Sequence, residues 1–253
     1  MNKKTKVALI TGSSRGLGKN MAIRLAGNGN NVIITYKSNK VEAEQVVSEI
    51  KSLGQHAFAL QLDVTQPKSF DLFFNQISNY LTKELNVDKF DFLVNNAGFG
   101  ADTLISETEE ETLDNLYTVH VKAPYLLTQK AVSFLNDNGR IINLSSGLTR
   151  FTTLGRSAYA IMKGAIDTFT KYAAKEFGER GITVNAIAPG IIETDFTRAT
   201  FTNEKAVGFI RSNTALNRTA IPDDIGGVVA FLCSDDARWV TAQRIEVSGG
   251  MFL

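Results

Sequence analysis

An α/β fold, one doubly wound parallel sheet of about seven strands flanked by helices, is what the 253-residue sequence predicts on three observations. Short apolar, β-branched runs alternate with longer helical patterns over most of the chain. The runs are apolar throughout, as strands covered on both faces should be. The residues with unusual chemistry fall just after those runs, at the strand ends where open parallel sheets hold their ligands.

The predicted strands are 7–11, 31–36, 56–62, 90–95, 139–145, 182–188 and 244–247. Candidate helices lie at about 16–28, 40–53, 67–84, 108–136, 157–180 and 222–233. Pro67 sits near a first helical turn, where its missing N–H is harmless. Pro222-Asp223-Asp224 places carboxylates where a helix N-terminus favours them. The alternation requires right-handed crossovers with helices on both faces of the sheet. With no internal repeat, low-complexity tract or Pro- or Ser-rich linker, residues 1–253 read as one domain.

Composition narrows the function classes. The single Cys233 cannot form an intramolecular disulfide, and without Cys/His metal spacing no metal site is expected. The basic opening MNKKTK precedes an apolar run, 7–10, too short for a signal sequence, and no segment has the length to cross a bilayer. Twenty-seven Lys and Arg against 26 Asp and Glu leave no overall field for nucleic acid or an anionic membrane. A cytoplasmic globular protein is the expectation.

Directly after the first strand comes Thr11-Gly12-Ser13-Ser14-Arg15-Gly16-Leu17-Gly18, leading into an amphipathic helix with Met21, Ala22, Leu25 and Ala26. Glycines allow close backbone approach, and the free N–H groups at a helix start attract a pyrophosphate. Gly12, Ser14, Arg15, Gly16, Leu17 and Gly18 are therefore candidate cofactor-binding residues, and the fold is expected to be Rossmann-type. The spacing G-x3-G-x-G differs from the commoner G-x-G-x-x-G, and a glycine-rich turn without a ligand is the alternative. The second strand ends in Tyr36-Lys37-Ser38-Asn39-Lys40, with no carboxylate before Glu42 to hold a ribose 2′-hydroxyl. Lys37 and Arg15 are suited instead to a 2′-phosphate, which favours NADP(H) over NAD, unless both are simply solvated surface cations.

After the fifth strand stand Ser145-Ser146, followed by Tyr159 and Lys163 four residues apart on one helix face. A neighbouring ammonium should lower the phenol's pKa and suit it to proton transfer to a carbonyl oxygen, with Ser146 polarising the same oxygen. Taken alone, such a pair is equally an ordinary amphipathic face.

In that order and at those strand ends, these motifs resemble the short-chain dehydrogenase/reductase family over nearly the whole chain. The resemblance also takes in Asp63-Val64, Asn95-Asn96-Ala97-Gly98, and Pro189-Gly190 followed by Thr194. It implies that Asp63 and Val64 contact adenine, that Asn95, Ala97 and Gly98 pack along the cofactor, and that Pro189, Gly190, Ile192 and Thr194 hold the nicotinamide. It implies Tyr159 as general acid/base, Ser146 as its partner, and Lys163 as both ribose ligand and tuner of Tyr159. In much of the family an Asn in the helix after strand four holds a water connected to the Lys. His120 stands there, either sustaining that relay or serving as a buried structural residue.

The closest resemblance within the family is to 3-oxoacyl-acyl-carrier-protein reductases, through TGSSRGLG, ERGITVNAIAPGIIETDF and the terminal SGGMFL. It implies an NADP(H)-dependent ketoreductase acting on a small carbonyl or acyl-thioester substrate. Of the two basic patches such enzymes offer an acidic acyl carrier protein, Lys175 could supply one, while SFLNDN before Gly139 carries no cation after Lys130. A free ketone, aldehyde, sugar or steroid-like alcohol is the alternative substrate. Residues 195–216 are the expected substrate lid, where Phe196, Phe201, Phe209 and Ile210 either line a pocket or pin the lid. Enoyl reductases are a competing class that separates Tyr and Lys by a longer interval and lacks this glycine turn. A cofactor-binding sensor without turnover is a second alternative. The resemblance implies a homotetramer or homodimer, for which Tyr125, Leu126, Phe169 and Tyr172 are candidate contact residues.

Overall fold

In the computed structural model, which describes residues 5–253, seven parallel strands form one sheet in the order β3-β2-β1-β4-β5-β6-β7. These are β1 (Val7–Ile10), β2 (Asn31–Tyr36), β3 (Ala57–Gln61), β4 (Phe90–Asn95), β5 (Leu135–Leu144), β6 (Thr183–Pro189) and β7 (Arg244–Val247). The basic opening residues 1–4 lie outside the described residues. Every residue of β1, β2 and β6 is buried, which accounts for the lack of polar alternation in these runs. The order reverses at β1, where β2 and β4 flank it on opposite sides. A crevice therefore opens at the carboxyl ends of β1 and β4.

Helices α1 (Gly16–Gly27), α2 (Lys40–Ser52) and α9 (Asp223–Leu232) cover one face, packing Met21, Leu25, Val46, Ile50 and Val229 on the sheet. Helices α3 (Phe70–Leu85), α5 (Ala123–Ala131) and α6 (Ser157–Phe177) cover the other with Phe70, Phe74, Ile77, Leu127 and Ala173. Fully buried rings such as Phe70, Phe74, Phe90 and Phe92 contribute about 1.5–3 kcal/mol each.

The helix expected at 108–136 is not continuous. It divides into α4 (Glu110–Tyr117), a π-helical stretch Thr118–Lys122, α5, and a 3-10 turn Val132–Phe134. Pro124 has no N–H to give the carbonyl of His120 four residues back, and the wider π geometry accommodates the defect. The helical pattern also overruns its end, because Leu135 already pairs with Phe90 in the sheet. Beyond β6, a 3-10 turn Asp195–Thr197 leads into α7 (Arg198–Phe201) and α8 (Glu204–Ser212), beside the crevice.

Candidate active site

The crevice is a cleft of about 1040 Å³, enough for a dinucleotide with a small molecule beside it. Its first wall is the turn between β1 and α1. The Thr11 hydroxyl accepts the N–H groups of Asn96 and Ala97, both at 2.9 Å, and Asn96 Nδ2 donates to the carbonyls of Thr11 and Gly12 at 2.8 and 3.0 Å. The Ser13 hydroxyl donates to the Ile10 carbonyl at 2.8 Å and accepts the Thr35 N–H at 3.0 Å. Gly12 has φ +62°, a conformation that disfavours side chains, and its absent Cβ would stand 3.0 Å from Ala97 Cα. A Cβ on Gly18 would overlap the Gly12 carbonyl and come within 2.6 Å of Asn96 Nδ2, so only glycine lets α1 press on the turn.

The start of α1 has neither a side-chain cap nor an acidic residue in its first turn. Its N–H groups and positive dipole end face the cleft unneutralised, and Arg15, exposed beside them, has no side-chain partner among the described residues. Uncapped helix start and glycine-only packing together fit a pyrophosphate-bearing cofactor.

Gly12, Ser14, Arg15, Gly16, Leu17, Gly18, Tyr36, Lys37, Asp63, Val64, Ala97, Gly98, His120, Ser146, Tyr159, Lys163, Pro189, Gly190, Ile192 and Thr194 all line this cleft. Asn95 does not, which corrects the expectation for it. As the last residue of β4 it is buried, with Nδ2 donating to Thr128 Oγ1 at 3.1 Å and Asn143 Oδ1 at 2.8 Å. Asn96 is the residue that lines the cleft and holds the glycine turn. Lys37 Nζ lies 3.3 Å from an Asp63 oxygen. Burial would raise the Asp63 carboxyl, but the Thr65 N–H and hydroxyl together with Lys37 outweigh it and hold the pKa below the ordinary value.

Ser146 follows β5, and its hydroxyl accepts the Leu148 N–H at 3.2 Å, capping a 3-10 turn. Tyr159 and Lys163 rise from the first two turns of α6. Lys163 Nζ donates to the Leu144 carbonyl at 2.6 Å and lies 5.5 Å from the centre of the Tyr159 ring. Burial pushes the phenol up to about 12, against an opposing pull from Arg156, and pushes Lys163 down to about 8, against Asp167. The expected lowering of the phenol by Lys163 is thus not what this arrangement gives. The ammonium is itself desolvated and bonded to a carbonyl, and the cation acting on the phenol is Arg156.

His120, on the π-helical stretch, meets the Tyr159 ring edge-on with centroids 5.1 Å apart. Its Nε2 donates to the Phe99 carbonyl at 2.7 Å, leaving Nδ1 a buried acceptor with no partner among the described residues. Burial, reinforced by Lys163, pushes its pKa down to about 3, so the ring is neutral. Beside it a cavity of about 10 Å³, the size of one water, is lined by His120, Asn95, Asn143 and Lys163. The second partnerless buried atom there is Asn95 Oδ1. Among the described residues no group of three His, Cys, Asp or Glu is placed to hold a metal.

Sequence reasoning missed Arg156, Phe99, Phe151 and Phe252, all of which line the cleft. Arg156, three residues before Tyr159, was within reach of helix spacing. The rings come from segments far apart in the chain and carry no common signal.

A parallel sheet with this cradle and a Ser, Tyr, Lys set at its carboxyl edge defines a dinucleotide-dependent oxidoreductase. Known proteins agree. A family model described as "Enoyl-(Acyl carrier protein) reductase" matches residues 12–252. A 3-oxoacyl-[acyl-carrier-protein] reductase of Staphylococcus aureus is 37% identical over 99% of this chain and 100% of its own. The solved structure of a promiscuous reductase of lugdunomycin biosynthesis, which catalyses keto-reduction at C1, superposes with a TM-score of 0.93 at 38% identity over 100% of both chains. That of an angucycline C-6 ketoreductase with bound NADP gives 0.92 at 36% identity over 98% of this chain and 96% of that one. The chain belongs to the short-chain dehydrogenase/reductase family.

Proposed function

We propose that the protein is an NADP(H)-dependent carbonyl reductase, and the observation that carries this is the convergence of Ser146, Tyr159 and Lys163 beside the glycine cradle in one cleft. Its relatives support the same chemistry: one is named a 3-oxoacyl-[acyl-carrier-protein] reductase and two solved ketoreductases are close in fold, one crystallised with NADP. Although the family model is described as an enoyl reductase, the four-residue Tyr159 to Lys163 interval favours carbonyl reduction.

The glycine turn and the start of α1 would hold the pyrophosphate, Lys37 and Arg15 the 2′-phosphate, and Asp63 and Val64 the adenine. Ala97, Gly98, Pro189, Gly190, Ile192 and Thr194 complete the nicotinamide end. When bound, the nicotinamide would supply the hydride that the carbonyl carbon receives. Ser146 donates a hydrogen bond to the carbonyl oxygen, and Tyr159 gives that oxygen its proton. Burial keeps the phenol protonated at neutral pH, the form that donates to a carbonyl oxygen. Arg156 stabilises the phenolate left behind. The small cavity supports His120 Nδ1, Asn95 Oδ1 and Lys163 as the holders of a water that reprotonates the site.

A 3-oxoacyl thioester is one candidate substrate, and docking of an acyl carrier protein is disfavoured. Arg156 in the cleft is paired with Asp102, and Arg150 and Arg198 outside its lining with Glu246 and Asp195, which weakens the positive field open to an acidic partner. Residues 195–216 serve as the lid. Tyr125 and Tyr172 are exposed while Leu126 and Phe169 pack inward, so the first two support a homodimer or homotetramer interface, which light scattering would test. No helix among the described residues is long and apolar enough to cross a membrane, in keeping with a cytoplasmic enzyme.

The test is NADPH consumption over a panel of ketones and β-keto thioesters, with wild type and Tyr159→Phe compared. Turnover that falls by about 100- to 10,000-fold in the variant is expected. NADPH binding without turnover on any substrate would point to a sensor instead. His120→Asn should keep or raise turnover if the residue only holds the water, and collapse of activity in the folded variant would give the imidazole a role of its own.

A further inference from the structure

We infer that the substrate end of the cleft is shaped for a flat, carrier-free aromatic ketone, an assignment that rests on the carbonyl-reductase reading above. Five phenylalanines reach this end from separate segments: Phe99 after β4, Phe151 after β5, Phe196 and Phe209 beyond β6, and Phe252 at the C-terminus. Phe99, Phe196 and Phe209 are 36%, 55% and 58% exposed, unlike the core rings of α3 and β4, so they present ring surface to the cleft instead of filling the interior. The walls are built around the reacting group. Phe99 reaches Tyr159 through His120, with successive centroids 5.6 and 5.1 Å apart. On the other side Phe151, Phe252 and Phe209 form a run with spacings of 4.9 and 6.1 Å and interplanar angles of 58° and 54°.

Two of these rings are seated against backbone that has no side chain. A Cβ on Gly100 would stand 2.7 Å from the tip of Phe196, and one on Gly147 would stand 2.7 Å from Phe151. Phe151 is also covered by the Arg150 guanidinium, 5.5 Å from its centre. Rings held this way are preorganised, so an aromatic ligand gains edge-on and offset contacts without an ordering cost. A flexible acyl chain gains only apolar contact and loses its own rotamer freedom. Ion pairing of Arg156 and Arg150 also weakens the grip available to an acidic carrier. Arg156 donates to Asp102 at 2.6 Å, and Arg150 to both oxygens of Glu246 at 2.7 and 2.6 Å.

The test compares kcat/KM of the full chain with NADPH on 2-tetralone, acetoacetyl-CoA and 3-oxodecanoyl-CoA. The aromatic ketone should exceed both thioesters by about tenfold or more, as one to two ring contacts allow. Phe209→Leu, which keeps apolar bulk and removes a ring, should raise KM for 2-tetralone by about three- to tenfold and leave KM for 3-oxodecanoyl-CoA within about twofold. A thioester that matches or beats 2-tetralone, or a variant that alters both substrates alike, overturns the inference and leaves the reductase reading standing. Failure to reduce any ketone by protein shown to bind NADPH overturns that reading as well.

Discussion

At the glycine-turn end of the cleft the groups open to a cofactor are main-chain N–H groups, held in place by Thr11, Ser13 and Asn96 through buried or half-buried hydrogen bonds. At the other end the open groups are phenylalanine rings, several of them exposed, and the paired Arg156, drawn from segments between residue 99 and the C-terminus. The first end is constrained because Gly12 and Gly18 leave no room for a Cβ. The second is defined by which side chains happen to project, so it can change substrate without disturbing the cofactor. On the proposed reading one half binds the cofactor, and the other carries the reacting groups and selects what undergoes the reaction.

The largest predicted effect on binding comes from breaking the rigid end. Gly18→Val should weaken NADPH binding by about 100-fold or more, read by fluorescence titration, because the new side chain displaces the turn from Asn96. Retained affinity in a variant with native circular dichroism would mean that the cradle is not where the pyrophosphate sits. Lys37→Ala should raise the NADPH Kd by about 10- to 100-fold and leave that for NADH little changed, the signature of a lost charge-assisted bond to a 2′-phosphate. A clear NADH preference in wild type would contradict the roles given to Lys37 and Arg15.

At the reacting end the effect is a pH dependence. Lys163 is pushed down to about 8, so it is charged below that pH and neutral above it. For reduction, kcat/KM should hold steady near neutrality and fall as the pH rises through about 8, and a profile flat to pH 10 would remove Lys163 from the mechanism. Arg156→Met should remove a pull that lowers the phenol and so shift Tyr159 further up, measurable as a later alkaline ionisation by ultraviolet difference spectra.

The smallest effect is on stability. Hydrogen bonds from Arg150, with help from Ser248 and Arg244, hold the Glu246 carboxyl at about 2, below its ordinary 4.5. Its folded pKa is depressed, so its contribution is fully present above pH 4.5 and is lost as the pH falls from 4.5 to 2. Thermal melts of Glu246→Gln should show a shallower acid slope in that window. His120, held at about 3 instead of 6.5, adds a separate loss between pH 6.5 and 3, which His120→Asn should remove.

The rigid half was legible in the sequence because it is local. Glycines at 12, 16 and 18 directly follow a buried strand, and strands buried on both faces advertise themselves as apolar runs. Legibility ended where the outcome depends on which side a side chain faces. Asn95 and Asn96 are adjacent and chemically identical, and only the strand's end decides that Asn96 meets the cleft while Asn95 turns inward. The break at Pro124 was readable in principle, but helical periodicity on both sides masked it. Burial reversed the expected sign at Tyr159, since desolvation of a phenol is a property of everything packed around it. Of the ring wall at the substrate end, Phe196 and Phe209 were named from the sequence as pocket candidates, while Phe99, Phe151 and Phe252 were not, because they share no spacing.

The central claim, that the two ends separate binding from chemistry, is tested most directly by measuring NADPH affinity and single-turnover ketone reduction side by side in Tyr159→Phe and Lys37→Ala. The account predicts that Tyr159→Phe keeps its NADPH Kd within about threefold while turnover at saturating NADPH falls by about 1000-fold, and that Lys37→Ala does the reverse. Turnover of Tyr159→Phe within about tenfold of wild type at saturating NADPH would contradict it.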